Sequence, residues 1–295
     1  MPSGLDIDHK TPITNNIAPY TSHLLVSTGQ SDWASRIEDE STPPHSQPWG
    51  NLVGALKAAF GRNGQYHSRT SNVLVTTSSL PAARSSGRTV LAFPTGEEIT
   101  LPPSPSIQSS NTDDEPLSAL LAYLARATHT TGSHGPPPPP LHSVPITHPT
   151  ILICSHNSRD TRCGVLGPLL VSEFKRLLPP SLQLDAEQGT RVAGISHIGG
   201  HKWAGNVIVY IPRGWSLRRR AIVDGEEASA SLEEDRAAHG GPSGKESPLA
   251  GKGVWYGRVE PRHVEGIINE TILGGKVIRE LCRGVVDEGG RIIRI

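Results

Sequence analysis

Residues 150–201 read TILICSHNSRDTRCGVLGPLLVSEFKRLLPPSLQLDAEQGTRVAGISHIGGH. The first five residues are an apolar run fit for a buried strand, ending at Cys154. After Cys163 and Gly164, apolar residues fall at 166, 169, 170, 174, 177 and 178. That is the spacing of an amphipathic helix, and Pro179–Pro180 ends it. Arg191–Ser196 reads as a second strand, ending at His197. A strand, a crossover helix and a parallel strand form the βαβ unit, and its ends carry two cysteines and two histidines.

Outward from this unit, Asn206–Ile211 and Val254–Val259 read as further strands, and Pro261–Leu273 as a helix stopped by Gly274–Gly275. The order β-α-β-β-β-α over 149–275 is the thioredoxin-like arrangement. Charged, Gly/Ser-rich residues 213–252 read as a flexible insertion, and 276–295 as a C-terminal tail. Toward the N-terminus, His23–Ser27, Asn72–Thr76 and Thr89–Phe93 read as strands. Trp49–Phe60 and Pro116–Ala127 read as helices, and Leu101–Asp114 as a loop. Residues 1–127 therefore make a smaller N-terminal α/β domain. Residues 128–148, with the run Pro136–Pro140, read as a Pro-rich linker. The fold class is α/β: a C-terminal thioredoxin-like domain behind a smaller N-terminal one. No internal repeat is evident in the sequence.

Composition narrows the function. The chain has 295 residues, 28 basic and 28 acidic, so bulk charge draws it neither to nucleic acid nor to an anionic membrane. Only 35% of residues are hydrophobic, and 31 Gly and 26 Pro dilute the core. No apolar run reaches the ~18 residues of a membrane span. The opening MPSGLDIDHKTP has neither the basic nor the apolar region of a signal peptide, so it carries no readable address. Three cysteines do not make a disulfide scaffold, and they suit a reducing compartment. No Gly-rich nucleotide motif is present.

Cys154 and Cys163 stand nine positions apart; His197 and His201 stand four apart with two glycines between them. Thiolates with imidazoles suit a soft or borderline metal. The reading favoured from the residues is a [2Fe–2S] cluster, with Cys154 and Cys163 on one iron and His197 and His201 on the other. Replacing two thiolates by neutral imidazoles raises the potential, to about −150 to +300 mV in Rieske centres against about −400 mV for plant-type clusters. Gly199 and Gly200 disfavour a helix and let the backbone approach the centre. Two alternatives stay open. Zinc also accepts Cys₂His₂ sets, although the gap between the cysteines exceeds the usual two to four residues, and it would make the chain a structural or adaptor module. A thiol–disulfide oxidoreductase would use Cys154 and Cys163 directly, although such chemistry favours C-x-x-C. Arg159, Asp160 and Arg162 read equally as a charged collar around the centre or as a solvated loop, and Trp203, after Lys202, reads as a core or shielding residue. His156 reads as a polar loop residue, and Cys282 as a spare thiol.

The segments CSHNSRDTRCGVLGP (154–168), SHIGGHKWAGNVIVYIP (196–212) and GVWYGRVEPRHVEGII (253–268) resemble the sucrase/ferredoxin-like family of thioredoxin-fold ferredoxins. MPSGLDIDHKTPI and STGQSDWASRIEDE, at 1–13 and 27–40, look like the N-terminal region of its fungal members. The resemblance implies a [2Fe–2S] cluster with ligands at Cys154, Cys163, His197 and His201. It also implies electron transfer rather than enzymatic turnover, a redox partner protein and a mitochondrial setting.

Overall fold

The structure is a computed structural model that describes residues 4–41, 49–82, 88–102, 114–129, 135–183, 189–216 and 245–293. Its elements run β1 (Ser22–Ser27), α1 (Gly50–Phe60), β2 (Val73–Ser78), β3 (Arg88–Phe93), β4 (Glu97–Leu101), α2 (Glu115–His129), β5 (His142–Pro145), β6 (Thr150–Cys154) and α3 (Thr161–Leu177). They continue with β7 (Arg191–Ile195), β8 (Val207–Tyr210), β9 (Gly253–Tyr256), α4 (Val264–Gly266, extended by a π-helix over Ile267–Leu273), β10 (Cys282–Val286) and β11 (Ile292–Ile293). All described strands join one mixed sheet, ordered β11-β10-β9-β8-β6-β7-β2-β1-β3-β4-β5.

The α/β class is therefore present, and the two expected units share a continuous sheet. Strand β1 is parallel to β2 through α1 and antiparallel to β3, which pairs with β4. Strand β6 is parallel to β7 through α3 and antiparallel to β8, which pairs with β9. The same connectivity thus occurs twice, a repetition the sequence conceals. The halves meet edge to edge, with Ser78 opposite Ile195. On either side of that pair a serine hydroxyl serves the other strand: Ser196 Oγ accepts from Thr77 N–H and Ser79 Oγ from Gly194 N–H, both at 3.0 Å. Two strand edges that would otherwise be unpaired are closed in this way.

Strand periodicity divides the core. Ile151 and Ile153 of β6 pack with Leu166, Leu170 and Phe174 of α3. Leu24 and Val26 of β1 pack with Leu52, Leu56 and Phe60 of α1. The alternate residues, Leu25, Leu91 and Phe93 from one half and Leu152, Cys154 and Trp255 from the other, form a third cluster common to both. Phe93 stacks on Tyr210 across it, with centroids 4.1 Å apart and planes at 8°.

Four strands were not read from the sequence. Glu97–Leu101 begins with two carboxylates, yet Ile99 and Leu101 point into the core. Tyr123 Oη donates to Glu97, and Glu98 pairs with Arg191 at 2.5 Å. Strand β5 lies within the segment read as a linker, and β10 and β11 within the segment read as a tail. The helix read over Pro261–Leu273 is present, but it is wound as 3₁₀, α and π turns in succession. Residues 103–113, 130–134 and 217–244 lie outside the described residues, and with them most of the expected loop, the start of the expected linker and most of the expected insertion.

The shared core encloses a polar chain. His23 Nε2 bonds Thr76 Oγ1 (2.7 Å), and its Nδ1 bonds Tyr210 Oη (2.9 Å). Tyr210 meets Tyr20 at 2.8 Å, and Trp255 Nε1 donates to Tyr20 (2.9 Å). Burial holds the His23 imidazole well below its ordinary range, down to about 3. Between that value and about 6.5 the unfolded chain binds a proton at His23 that the native one refuses. Stability from this residue is therefore complete above pH 6.5 and falls on acidification by about 1.4 kcal/mol per pH unit. Denaturant titrations between pH 4 and 7 should show His23→Gln less stable at neutrality but with a flatter pH profile, by close to one proton. An unchanged slope would contradict a neutral buried imidazole.

Candidate metal centre

Cys154 is the last residue of β6, and Cys163 lies in the first turn of α3. Asp160 caps that helix by accepting from Arg162 N–H (3.0 Å), and its carboxylate also takes the Arg162 guanidinium. The helix lies directly on the loop it leaves. A Cβ at Gly167 would stand 2.6 Å from Cys154 O and from Ser155 Cα, and one at Gly164 would strike Asn157. Only glycine permits this approach, which seats both sulfurs, fully buried, in the shared core.

Because β6 and β7 are parallel, with Cys154 opposite Ile195, both strands end at the same edge. His197 follows there. Its backbone N–H donates to His156 Nδ1 (3.1 Å). His156 Nε2 faces the carbonyls of Trp33 and Ala34, each at 3.0 Å, so it must carry the proton and donate. Read from sequence as a polar loop residue, His156 is buried and ties the cysteine loop, the histidine loop and the N-terminal half together. Gly199 and Gly200 take left-handed φ values of +79° and +74° and turn the chain so that His201 comes back beside His197. The two rings lie 5.3 Å apart at 38°. His201 is exposed, whereas the Nδ1 of His197 is buried without a hydrogen-bond partner. His197 also borders a cleft of about 370 Å³ lined by Arg36, Lys57 and Arg159.

The Cys154 sulfur accepts from the Cys163 thiol, the His197 ring and the His156 backbone N–H, which together hold it well below the ordinary thiol range. Cys163 is pushed up by its bond to Cys154 and by burial, so it keeps its proton. Cys282 lies in the core beneath α3, apart from this pair, and burial raises it to about 11.

All four sequence-read residues therefore gather at one end of the sheet, as a sulfur pair and an imidazole pair. Among the described residues no three His, Cys, Asp or Glu side chains converge as needed to hold one metal ion. The His197 Nδ1, buried without a hydrogen-bond partner, is a donor atom that a metal could take.

Around the site, Lys202 pairs with Asp8 (3.2 Å) and lies over Trp203, 4.7 Å from its ring. Trp203 is buried with its Nε1 unpartnered. The N-terminal strap is tied down here: Arg162 donates to Asp6 O, Arg258 to Asp8 O and Thr11 O, and Arg283 to Asn16 O. Arg283 escaped the sequence reading, having no periodicity or motif to distinguish it within a basic-apolar segment.

Fold and site together define a mixed α/β protein with a buried cysteine pair and an adjoining histidine pair. The chain belongs to the sucrase/ferredoxin-like family, whose model matches residues 13–284. It is similar to altered inheritance of mitochondria protein 32 of Debaryomyces hansenii, 38% identical over 136 residues, which are 46% of this chain and 35% of the relative. The protein of the same name from Kluyveromyces lactis is 27% identical over 240 residues, 71% of this chain and 66% of the relative. Actin patches distal protein 1 of Saccharomyces cerevisiae is 25% identical over 226 residues, 70% of this chain and 66% of the relative. The match to the Debaryomyces protein thus spans about a third of that relative's length. No solved structure gives a significant match.

The two loop glycines separate conformational strain from crowding. A Cβ at Gly199 meets nothing within 4 Å, whereas one at Gly200 would stand 2.7 Å from the Arg283 guanidinium. Gly199→Ala should cost about 1–2 kcal/mol, the left-handed penalty alone, and Gly200→Ala clearly more. Denaturant midpoints check this; equal losses would mean that the loop does not rest on Arg283.

Proposed function

We propose that the chain is a one-electron carrier or redox-control protein whose Cys154, Cys163, His197 and His201 hold a [2Fe–2S] cluster. The observation that carries this reading is the meeting of a sulfur pair and an imidazole pair, 34 residues apart from Cys163 to His197, at one end of the sheet. In the same reading the β9-β8-β6-β7 half is a thioredoxin-like unit, since its strand order and the parallel β6–β7 pair match that arrangement.

The cluster, when bound, supplies reversible one-electron transfer. The chain's own residues prepare the place for it. Cys154 is already biased toward thiolate, the form that ligates iron. His156 fixes the backbone of His197 and leaves that ring's Nδ1 free of competing protein bonds. His201 faces solvent at the edge where a partner protein would approach. Neutral imidazoles in place of two thiolates favour a potential above that of all-cysteine clusters.

A second reading has its own support. The Cys154–Cys163 pair, one sulfur biased to thiolate and the other protonated, resembles a dithiol ready for exchange. Yet both sulfurs are fully buried, and exchange requires a partner disulfide to reach the attacking thiolate. Insulin reduction abolished by Cys163→Ser would favour it. Stoichiometric zinc in colourless protein would instead favour a structural or adaptor role.

The setting we propose is mitochondrial, with a redox protein as partner; the relatives' names concern mitochondrial inheritance and actin patches. No described helix is long and apolar enough to cross a membrane.

Anaerobically purified full-length protein should be coloured and contain two irons and two sulfides per chain. His197→Cys should keep the cluster and lower its potential toward the all-cysteine range of about −400 mV. An unchanged potential would argue against ligation by His197.

A further inference from the structure

Arg283 sits where β10 slips register against β9: Cys282 faces Tyr256 and Gly284 faces Trp255, so Arg283 is the extra residue of a β-bulge. Bulges re-aim a side chain relative to its neighbours. Here Cys282 enters the core beneath α3 while Arg283 points to the candidate centre. Arg283 as a whole is 3% exposed. Its carbon lies 5.3 Å from the ring of Trp203 and 5.6 Å from that of Trp255.

Its hydrogen bonds all go to neutral oxygens. Nε and Nη2 donate to Asn16 O (3.2 and 2.8 Å), and Nη1 donates to Gly199 O (3.2 Å) and Asn206 Oδ1 (2.8 Å). Among the described residues no carboxylate pairs with it. A buried cation without a counter-ion is costly, so such a group is rarely kept unless an anion answers it. Burial lowers its pKa only to about 10, leaving it charged at neutral pH, and the nearby Cys154 sulfur, held toward thiolate, favours that charge.

We propose that Arg283 is the fixed counter-charge of the centre and the positioning residue of its histidine loop. This rests on the [2Fe–2S] reading. The guanidinium supports Gly199 through its carbonyl and forms the surface on which Gly200 lies, so it sets how the His197–His201 turn approaches the sulfurs. Reduction adds one negative charge to the centre. A buried positive charge beside it stabilises the reduced state more than the oxidised one and raises the potential.

The test is a potentiometric titration of the iron-loaded full chain, followed by visible absorption. It compares the parent with Arg283→Gln, Arg283→Lys and Arg291→Gln, the last being an exposed arginine next to β11. The potential should fall in Arg283→Gln, return most of the way to the parent value in Arg283→Lys, and stay unchanged in Arg291→Gln. Equal potentials in the parent and Arg283→Gln at full iron content would overturn the counter-charge. A fall in Arg283→Lys as large as that in Arg283→Gln would do the same, because the charge would not be what matters. If Arg283→Gln fails to hold iron, Arg283→Lys decides: iron retained near the parent potential supports the proposal, and iron lost from both overturns it. A parent chain that binds no iron would remove the cluster reading itself, an outcome distinct from all of these.

Discussion

The parallel pairing of β6 with β7 is the constraint from which the site follows. Parallel strands end on the same edge of a sheet, and a helical crossover is what makes that possible. With Cys154 held opposite Ile195, the residues just beyond β7 must emerge beside the sulfur. His197 is thus a neighbour of Cys154 although it lies 43 positions further along the chain. Helix α3 brings Cys163 to the same edge because its first turn begins where the β6 loop ends. The remaining devices refine this placement: Gly164 and Gly167 lower the helix onto the loop, His156 fixes the backbone of His197, and the two left-handed glycines fold His201 back.

The N-terminal half repeats the connectivity without repeating the chemistry. Strand β1 occupies the place of β6 but ends at Ser27 rather than at a cysteine. This half does, however, touch the site directly. The loop after β1 supplies Trp33 and Ala34 carbonyls to His156, and Asp32 accepts from the backbone and hydroxyl of Ser158. It also supplies half of a common hydrophobic core, so the cysteines lie between the two halves rather than at the surface of one. The serine-closed junction at Ser78 and Ile195 holds this arrangement across the sheet.

Much of this was legible in the chain. Apolar runs and helical spacing marked β1, α1, β2, β3, α2, β6, α3, β7, β8 and β9, because burial on one face or two leaves a periodic trace. The four candidate ligands stood out by residue type and spacing alone. What stayed hidden had no local signature. Strand β4 begins with Glu97 and Glu98, whose partners Tyr123 and Arg191 lie far off in sequence. Strands β5 and β10 are edge-side additions, recognisable only once their neighbours exist. His156 and Arg283 look like ordinary polar residues; only the tertiary fold shows one bridging three segments and the other buried as a cation. The duplicated connectivity was invisible because topology is conserved by hydrogen-bond geometry, which many sequences satisfy.

The most direct measurement is pulsed EPR of the reduced full-length protein, prepared with ordinary and with ¹⁵N-labelled histidine. The account predicts a [2Fe–2S] signal coupled to two imidazole nitrogens, both of which change with the label, and one of which is lost in His201→Cys. A signal with no histidine nitrogen coupling, or a protein with no iron signal at all, would contradict it.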